Sequence, residues 1–179
     1  MKKLVIGIDQ GYTRTGISLA ADGELKTVRS LAFKGARSKS EKRKILKGTI
    51  SHILKKNAYK ASECIILVER IRQFSYGAKS GKNNKAFTNI NYIKAVGALI
   101  GAIVDIAVEF DVEVYSVDTR SWKSKVVGTS KSKGEDKKHE TVEFVKKLGF
   151  DVGKDDDAAD SACIALYGFV ADQKLKKEE

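Results

Sequence analysis

GIDQGYTRTG, residues 7–16, is the stretch on which the reading of this chain turns. It follows Leu4, Val5 and Ile6 and leads into a second apolar run, residues 17–21. Strand alternation puts Leu4, Ile6 and Ile8 on one face and Val5, Gly7 and Asp9 on the other. Asp9 then stands where a buried strand emerges into a glycine-rich turn, a place that holds a carboxylate rigidly for a metal or a phosphate. Gly11 and Gly16 permit a tight turn and close approach by another backbone. An aspartate at a strand end is also an ordinary turn former. What decides between the two is whether other carboxylates converge on it.

Working outward, residues 4–9 and 16–21 form a hairpin, and a third strand, 25–33, follows the turn at Asp22 and Gly23, giving an antiparallel meander. The period then changes. Between residues 40 and 57, Ile45, Leu46, Ile50, Ile53 and Leu54 recur at helical spacing, with Ser38 or Ser40 as N-cap. Lys34, Arg37, Lys39, Lys42, Arg43, Lys44 and Lys47 make a dense basic run there, which is either a solvated face or a surface for a polyanion. Residues 64–69 are a continuous apolar run closed by Glu69, the pattern of a central strand buried on both faces. Glu69 repeats the logic of Asp9, unless it pairs with Arg70 or Arg72.

Residues 70–86 have no apolar period and read as a loop. Arg70, Arg72, Lys79, Lys82 and Lys85 can neutralise phosphates while Phe74 or Tyr76 stacks on unpaired bases, although either aromatic could instead tuck against the core. Residues 87–110 are apolar most of the way round a helix, which requires two partners: the sheet and a second copy of the protein, approached closely at Gly97, Ala98, Gly101 and Ala102. Val112, Val114 and Val117 give another strand, ending near Asp118. Residues 118–138 are a second basic segment around Trp122, with room for one helical turn; Arg120, Lys123, Lys125, Lys137 and Lys138 are its candidate DNA contacts. A helix over 135–148 turns Val142, Val145 and Leu148 inward and stops at Gly149, with His139 in solvent.

The last helix starts in DDDAADSACIALYGFV, residues 155–170. Asp155 and Asp156 suit the cap and first turn. Asp157 and Asp160, at i and i+3, share one side of a turn, and Ala158, Ala159, Ala162 and Ala165 let that turn pack closely on a sheet. Carboxylates crowded in this way repel, and a divalent cation relieves them. Asp9, Glu69, Asp157 and Asp160, without His or Cys ligands, favour Mg²⁺ or Mn²⁺ over zinc. Two such ions ~3.5–4 Å apart would activate a water and stabilise the leaving oxygen in phosphodiester cleavage.

Composition points the same way. The 179 residues suit one domain, 1–179, and 42% hydrophobic with 32% charged residues describes a folded soluble protein. A formal net charge of +11 favours a polyanionic partner, nucleic acid foremost, though lysine-rich surfaces also serve solubility. Cys64 and Cys163 lie in apolar runs and read as small buried thiols, which fits a reducing cytoplasm. The apolar stretch of MKKLVIGIDQ is too short for a secretory signal. No run is expected to reach the ~20 apolar residues of a membrane span, since Asp105 and Glu109 break the longest.

With these residues in place, the sequence resembles the RuvC-type Holliday junction resolvases, in a divergent, phage-encoded form. The resemblance covers nearly the whole chain. GIDQGYTRTG matches the family's opening motif and carries the first catalytic carboxylate onto Asp9; ILVER carries the second onto Glu69. DAADSA matches the closing motif and carries the last two onto Asp157 and Asp160. WKSKVVG supplies a catalytic lysine at Lys123, and DKKHETV offers Lys137, with Lys138 as the alternative. Gln10 stands where the family usually has proline, Tyr12 where it has a small hydroxyl residue, and the basic loop at 70–86 is poorly matched.

The resemblance implies an α/β, ribonuclease H-like fold: a mixed five-stranded sheet, with strands 1–3 as an antiparallel meander and then parallel strands, flanked by helices. It implies a homodimeric, Mg²⁺- or Mn²⁺-dependent endonuclease, with two ions per site, that resolves branched DNA by paired nicks in a bacterial host's cytoplasm. Rival readings are a related nuclease acting on RNA or simple duplexes and a junction-binding protein without catalysis. An actin-like phosphotransferase shares the Asp-x-Gly opening, but 179 residues cannot supply its two lobes.

Overall fold

The computed structural model describes residues 1–71, 90–128, 136–170 and 176–177. The meander comes first: β1 (Lys3–Gln10), β2 (Arg14–Ala21) and β3 (Glu24–Ala32). Between β2 and β3 both turn residues have positive φ, 52° at Asp22 and 89° at Gly23, the pattern whose twist matches a tight hairpin. Asp22 then accepts hydrogen bonds from the backbone N–H groups of Lys2 (3.0 Å) and Lys3 (2.9 Å), closing the end of β1.

Helix α1 (Lys39–Asn57) starts at Ser38, where both halves of a capping box are made: Ser38 Oγ accepts from the Glu41 N–H at 3.1 Å and Glu41 Oε2 from the Ser38 N–H at 3.3 Å. Strand β4 (Glu63–Glu69) follows, then α2 (Ile90–Glu109), β5 (Glu113–Val117), α3 (Thr119–Trp122) running into a π-helical turn at Lys123–Val127, α4 (Asp136–Lys147) and α5 (Asp156–Tyr167). With a short β6 (Lys176–Lys177) at the end of the chain, the strand order is β3-β2-β1-β4-β5-β6, β1 antiparallel to β2 and parallel to β4, and β5 parallel to β4. The five expected strands are present; β6 adds two antiparallel residues at the β5 edge.

Alternation along the central strands divides the core into two layers. Leu4, Ile6 and Ile8 of β1, with Ile66 and Val68 of β4, pack against Leu46 and Ile50 of α1 and Leu99 and Ile103 of α2. Val5, Ile65 and Leu67 face the other way, onto Ala159, Ala162 and Cys163 of α5, Val142 and Val145 of α4, and Trp122. Each wholly buried aliphatic side chain contributes about 1.5–3 kcal/mol relative to exposure, so the two layers together dominate the fold.

Several expectations change in detail. Leu148 is 46% exposed, because α4 ends at Lys147 and Gly149, at φ 91°, turns the chain away before that side chain can reach the core. Ile45 is likewise exposed, leaving Leu46, Ile50, Ile53 and Leu54 as the buried stripe of α1. Cys163 is buried and Cys64 partly so; burial pushes the Cys64 thiol up to about 11, so it is inert as a nucleophile near neutrality. His139 is exposed, as its place on α4 suggested. The helical turn expected around Trp122 is present as α3 and the π-helical turn, and Trp122 itself is fully buried.

Against the expectation from Asp105 and Glu109, Asn91–Glu109 of α2 is long and apolar enough to cross a membrane by length and composition alone. In the fold, one side of this helix is core: Leu99, Ile103, Ile106 and Ala107 are buried against the sheet and α1, and Val96 and Ala102 are buried as well. Lys47 of α1 lies 3.5 Å from Asp105 and 3.8 Å from Glu109, so the two acids that interrupt the apolar run join the helices at their rim.

Candidate metal centre

Residues of one parity on β1 and β4 face α5, and the last of each are Asp9 and Glu69. They sit at the same end of two adjacent parallel strands, just past the Ile8–Val68 pair. Helix α5 is laid close across that end because β1 and β2 carry glycine at two of the positions where it crosses, Gly7 and Gly16. A Cβ on Gly16 would stand 1.8 Å from the Asp157 carbonyl oxygen, and one on Gly7 would stand 2.3 Å from both Ser161 O and Ala165 N. Hydrogen alone fits at these contacts. Ser18 and Ser161 share a buried 2.7 Å hydrogen bond across the same interface, and Ser161 Oγ also donates to Ala158 O at 2.8 Å.

The start of α5 is fastened separately. Asp155 is its N-cap, accepting from the Ala158 N–H at 3.1 Å, and its other oxygen accepts from Ser30 Oγ at 2.6 Å and Arg14 Nη1 at 3.1 Å. Burial pushes the Asp155 carboxyl up, but the bonds from Ser30, Ala158 and Arg14 outweigh it and hold this group below its usual range. Asp155 is thus an ionised anchor between α5, β2 and β3. Asp156 lies in the first turn, as expected.

These constraints bring carboxylate oxygens of Asp9, Glu69 and Asp160 within 4.8 Å of one another. Burial, then the charges of Glu69, Asp160 and Asp157, push the Asp9 carboxyl up to about 8, with Lys123 opposing. Burial also raises Asp160, opposed by Lys123, whose Nζ lies 3.5 Å from Asp160 Oδ2, and by a hydrogen bond from Thr141. Asp160 Oδ1 is buried and has no hydrogen-bond partner among the described residues. An orphaned anionic oxygen, three crowded carboxylates and an all-oxygen donor set are what a hard divalent cation satisfies. The residues present therefore fit such an ion.

Asp157 falls outside this trio. Its oxygens group with those of Asp155 and Asp156 instead, yet its charge still raises Asp9, and burial followed by Asp156 and Asp155 raises its own carboxyl. Of the expected basic residues, Lys123 is at the cluster, while Arg120 and Lys125 are exposed on α3 and the turn after it. Arg70 lies just beyond Glu69, its Nε 3.5 Å from Ser116 Oγ. Lys137 and Lys138 belong to α4, but their side chains, like Arg72, Phe74, Tyr76, Lys79, Lys82 and Lys85, lie outside the described residues.

Four contributors escaped the sequence reading. Thr141 of α4 bonds Asp160, Thr119 of α3 donates to Glu69 Oε1, and Gln10 bonds the Glu69 backbone. Tyr92, counted with the apolar helix, is 48% exposed at the start of α2; burial of its ring and the charges of Asp9, Glu69 and Asp157 raise its hydroxyl. Only Gln10 carried a signal, as the polar residue directly after Asp9 at the end of the first strand. Hydroxyls that support a carboxylate from another element leave no local pattern.

Fold and site together define an α/β protein with a carboxylate cluster at the ends of its central parallel strands. Among solved structures, the chain is similar to T. thermophilus RuvC in complex with Holliday junction substrate, with a TM-score of 0.71 and 20% identity over 98% of this chain and 99% of that one. A second Thermus thermophilus RuvC structure gives a TM-score of 0.67 and 22% identity, again over 98% and 99%. No family model and no curated protein matches the sequence. At this identity the likeness establishes the fold.

Proposed function

We propose that this protein, as a single nuclease domain, is a metal-dependent, structure-selective endonuclease that resolves four-way DNA junctions by paired phosphodiester hydrolysis. The observation that carries this is the convergence of Asp9, Glu69 and Asp160 within 4.8 Å at one end of the sheet. The similar fold of a RuvC solved with a Holliday junction substrate supports the choice of DNA. Asp9, Glu69 and Asp160 would hold Mg²⁺ or Mn²⁺, two ions per site, with Asp157 completing the set from the rim. When bound, such ions supply the charge that makes a water nucleophilic and stabilises the leaving oxygen.

The chain's own groups prepare that chemistry. With its carboxyl raised to about 8, Asp9 carries a proton in the metal-free protein at neutral pH and gives it up when a cation binds. Lys123, beside Asp160, would take a phosphate oxygen, and the exposed Arg70, Arg120 and Lys125 would add cationic contacts to the DNA. The loop residues Arg72, Phe74, Tyr76, Lys79, Lys82 and Lys85, and Lys137 or Lys138, are assigned the junction arms and crossover on sequence grounds alone.

Paired nicks need two sites, and α2 offers a surface for a second copy. On the less buried side of α2, Gly97, Gly101 and Val108 are exposed, Val108 at 73%, and Ile93 and Ile100 are half-buried at helical spacing from them, with no described atom within 4 Å of a Cβ at either glycine. An apolar stripe with small residues lets two helices approach closely. The proposed setting is a bacterial host's cytoplasm.

Labelled four-way junction, duplex and RNA, each incubated with Mg²⁺, Mn²⁺ or EDTA, test the reading. Paired nicks in the junction, absent with EDTA, are expected; Asp9→Asn should lower the rate by at least ~1000-fold while binding the junction within a few-fold of the native chain. Native rates in Asp9→Asn would overturn the mechanism, and faster cutting of RNA or duplex would overturn the substrate.

A further inference from the structure

Glu69 is the one carboxylate of the cluster that ends a parallel strand with no further ladder to hold it on the β1 side. Pairing of β1 with β4 stops at Ile8 and Val68, although β1 continues beside β2 to Gln10 and turns only there, Gly11 N–H donating to Asp9 O at 3.1 Å. The side chain of Gln10, 6% exposed, fills the gap. Its Oε1 accepts the Glu69 backbone N–H at 3.1 Å and its Nε2 donates to the Glu69 backbone carbonyl. A primary amide presents the same donor and acceptor as a peptide group, so Gln10 adds one rung to the sheet from a side chain. On the other flank β5 pairs Val117 with Glu69, and the Arg70 N–H donates to Val117 O at 2.9 Å.

The carboxylate itself is held from α3. Thr119, the first residue of that helix, donates its hydroxyl to Glu69 Oε1. Thr119 is in turn placed by Asp118, the helix N-cap, whose Oδ1 accepts the Arg120 N–H at 2.8 Å. Backbone and head group of Glu69 are therefore fixed by different elements, Gln10 of β1 and Thr119 of α3.

From this arrangement we infer that Gln10 and Thr119 are positioning residues for cation binding: Gln10 sets the Glu69 main chain and Thr119 sets the rotation of its carboxylate. The inference rests on the metal-site reading above. Groups that orient a ligand typically govern affinity by 10–100-fold when removed. Gln10 is thus a two-point clamp on the neighbouring strand.

The test uses the full chain and Mn²⁺ alone, with binding followed by electron paramagnetic resonance of the free ion and unfolding followed by calorimetry in EDTA. Thr119→Val keeps the side-chain shape and removes the hydroxyl; it should weaken Mn²⁺ binding about tenfold or more with little change in melting temperature. Thr119→Ser should return most of the affinity. Gln10→Leu should weaken binding similarly but also lower the melting temperature, since it strands the Glu69 N–H and C=O. Asp9→Asn is the reference. If Asp9→Asn loses Mn²⁺ and Thr119→Val does not, the positioning role is overturned while the metal site stands. If Asp9→Asn binds Mn²⁺ as the native chain does, the site itself is overturned, and the positioning role with it.

Discussion

Asp9 concentrates what single residues decide here. Its carboxyl is raised from 3.8 to about 8, so between those values the folded chain holds a proton that the unfolded chain has lost. Stability of the metal-free protein should accordingly fall as pH rises from about 5 to 8, by up to about 1.4 kcal/mol for each unit, and level off above. Asp9→Asn removes this dependence and should be the more stable protein at pH 8, with no such advantage near pH 4; a divalent cation should restore the native chain. Calorimetry of both proteins across that range, with EDTA and with Mn²⁺, checks it, and parallel curves would count against the crowding. At this scale the sequence was informative about Asp9 and Glu69 because strand parity alone sends both to one face. Asp157 and Asp160 were harder. Three residues along a helix differ by about 60° around the axis and about 4.5 Å along it, enough for Asp160 to enter the cluster and Asp157 to stay with Asp155 and Asp156.

Elements were mostly legible from their periods, and the misassignments have a common cause. Leu148 continues the helical spacing of α4, but Gly149 ends the helix first, and the apolar α2 could not reveal from composition which of its faces was core. Period specifies a face; caps and close contacts specify where it lies. The contact that matters most is α5 on Gly7 and Gly16. Gly16→Ala pushes a methyl into the Asp157 carbonyl and should destabilise the protein by about 1–3 kcal/mol or more while weakening Mn²⁺ binding, since α5 must retreat. Gly48→Ala, in α1 with no atom within 4 Å of the new methyl, should instead gain up to about 1 kcal/mol of helix stability and leave Mn²⁺ binding alone. Thermal melts and Mn²⁺ titrations of the two variants separate the effects.

For the whole molecule, two features invite partners: the +11 net charge and the less buried side of α2. Val108 is the better probe of that side because at 73% exposure it contributes little to the core. Val108→Glu should convert a dimer to monomers in sedimentation velocity and reduce paired cutting to single nicks; a dimer that survives the change places the interface elsewhere. Junction binding should weaken steeply with added salt, in proportion to the phosphates neutralised. The overall architecture was readable through four acids in order along the chain, even though no family model or curated protein matches. What remained out of reach was long-range support such as Gln10 on Glu69 or Lys42 on Tyr12, whose ammonium sits 3.5 Å from the ring centroid.

The glycine seat of α5 also bears on how far such a sequence can drift. Main-chain atoms, not side chains, set the separation of the helix from β1 and β2, so the apolar residues around the contact can be exchanged for others of similar volume without moving the acids. Two hydrogens, at Gly7 and Gly16, are the parts with no substitute. A fold held this closely at so few positions is compatible with the 20% identity between this chain and another of the same fold.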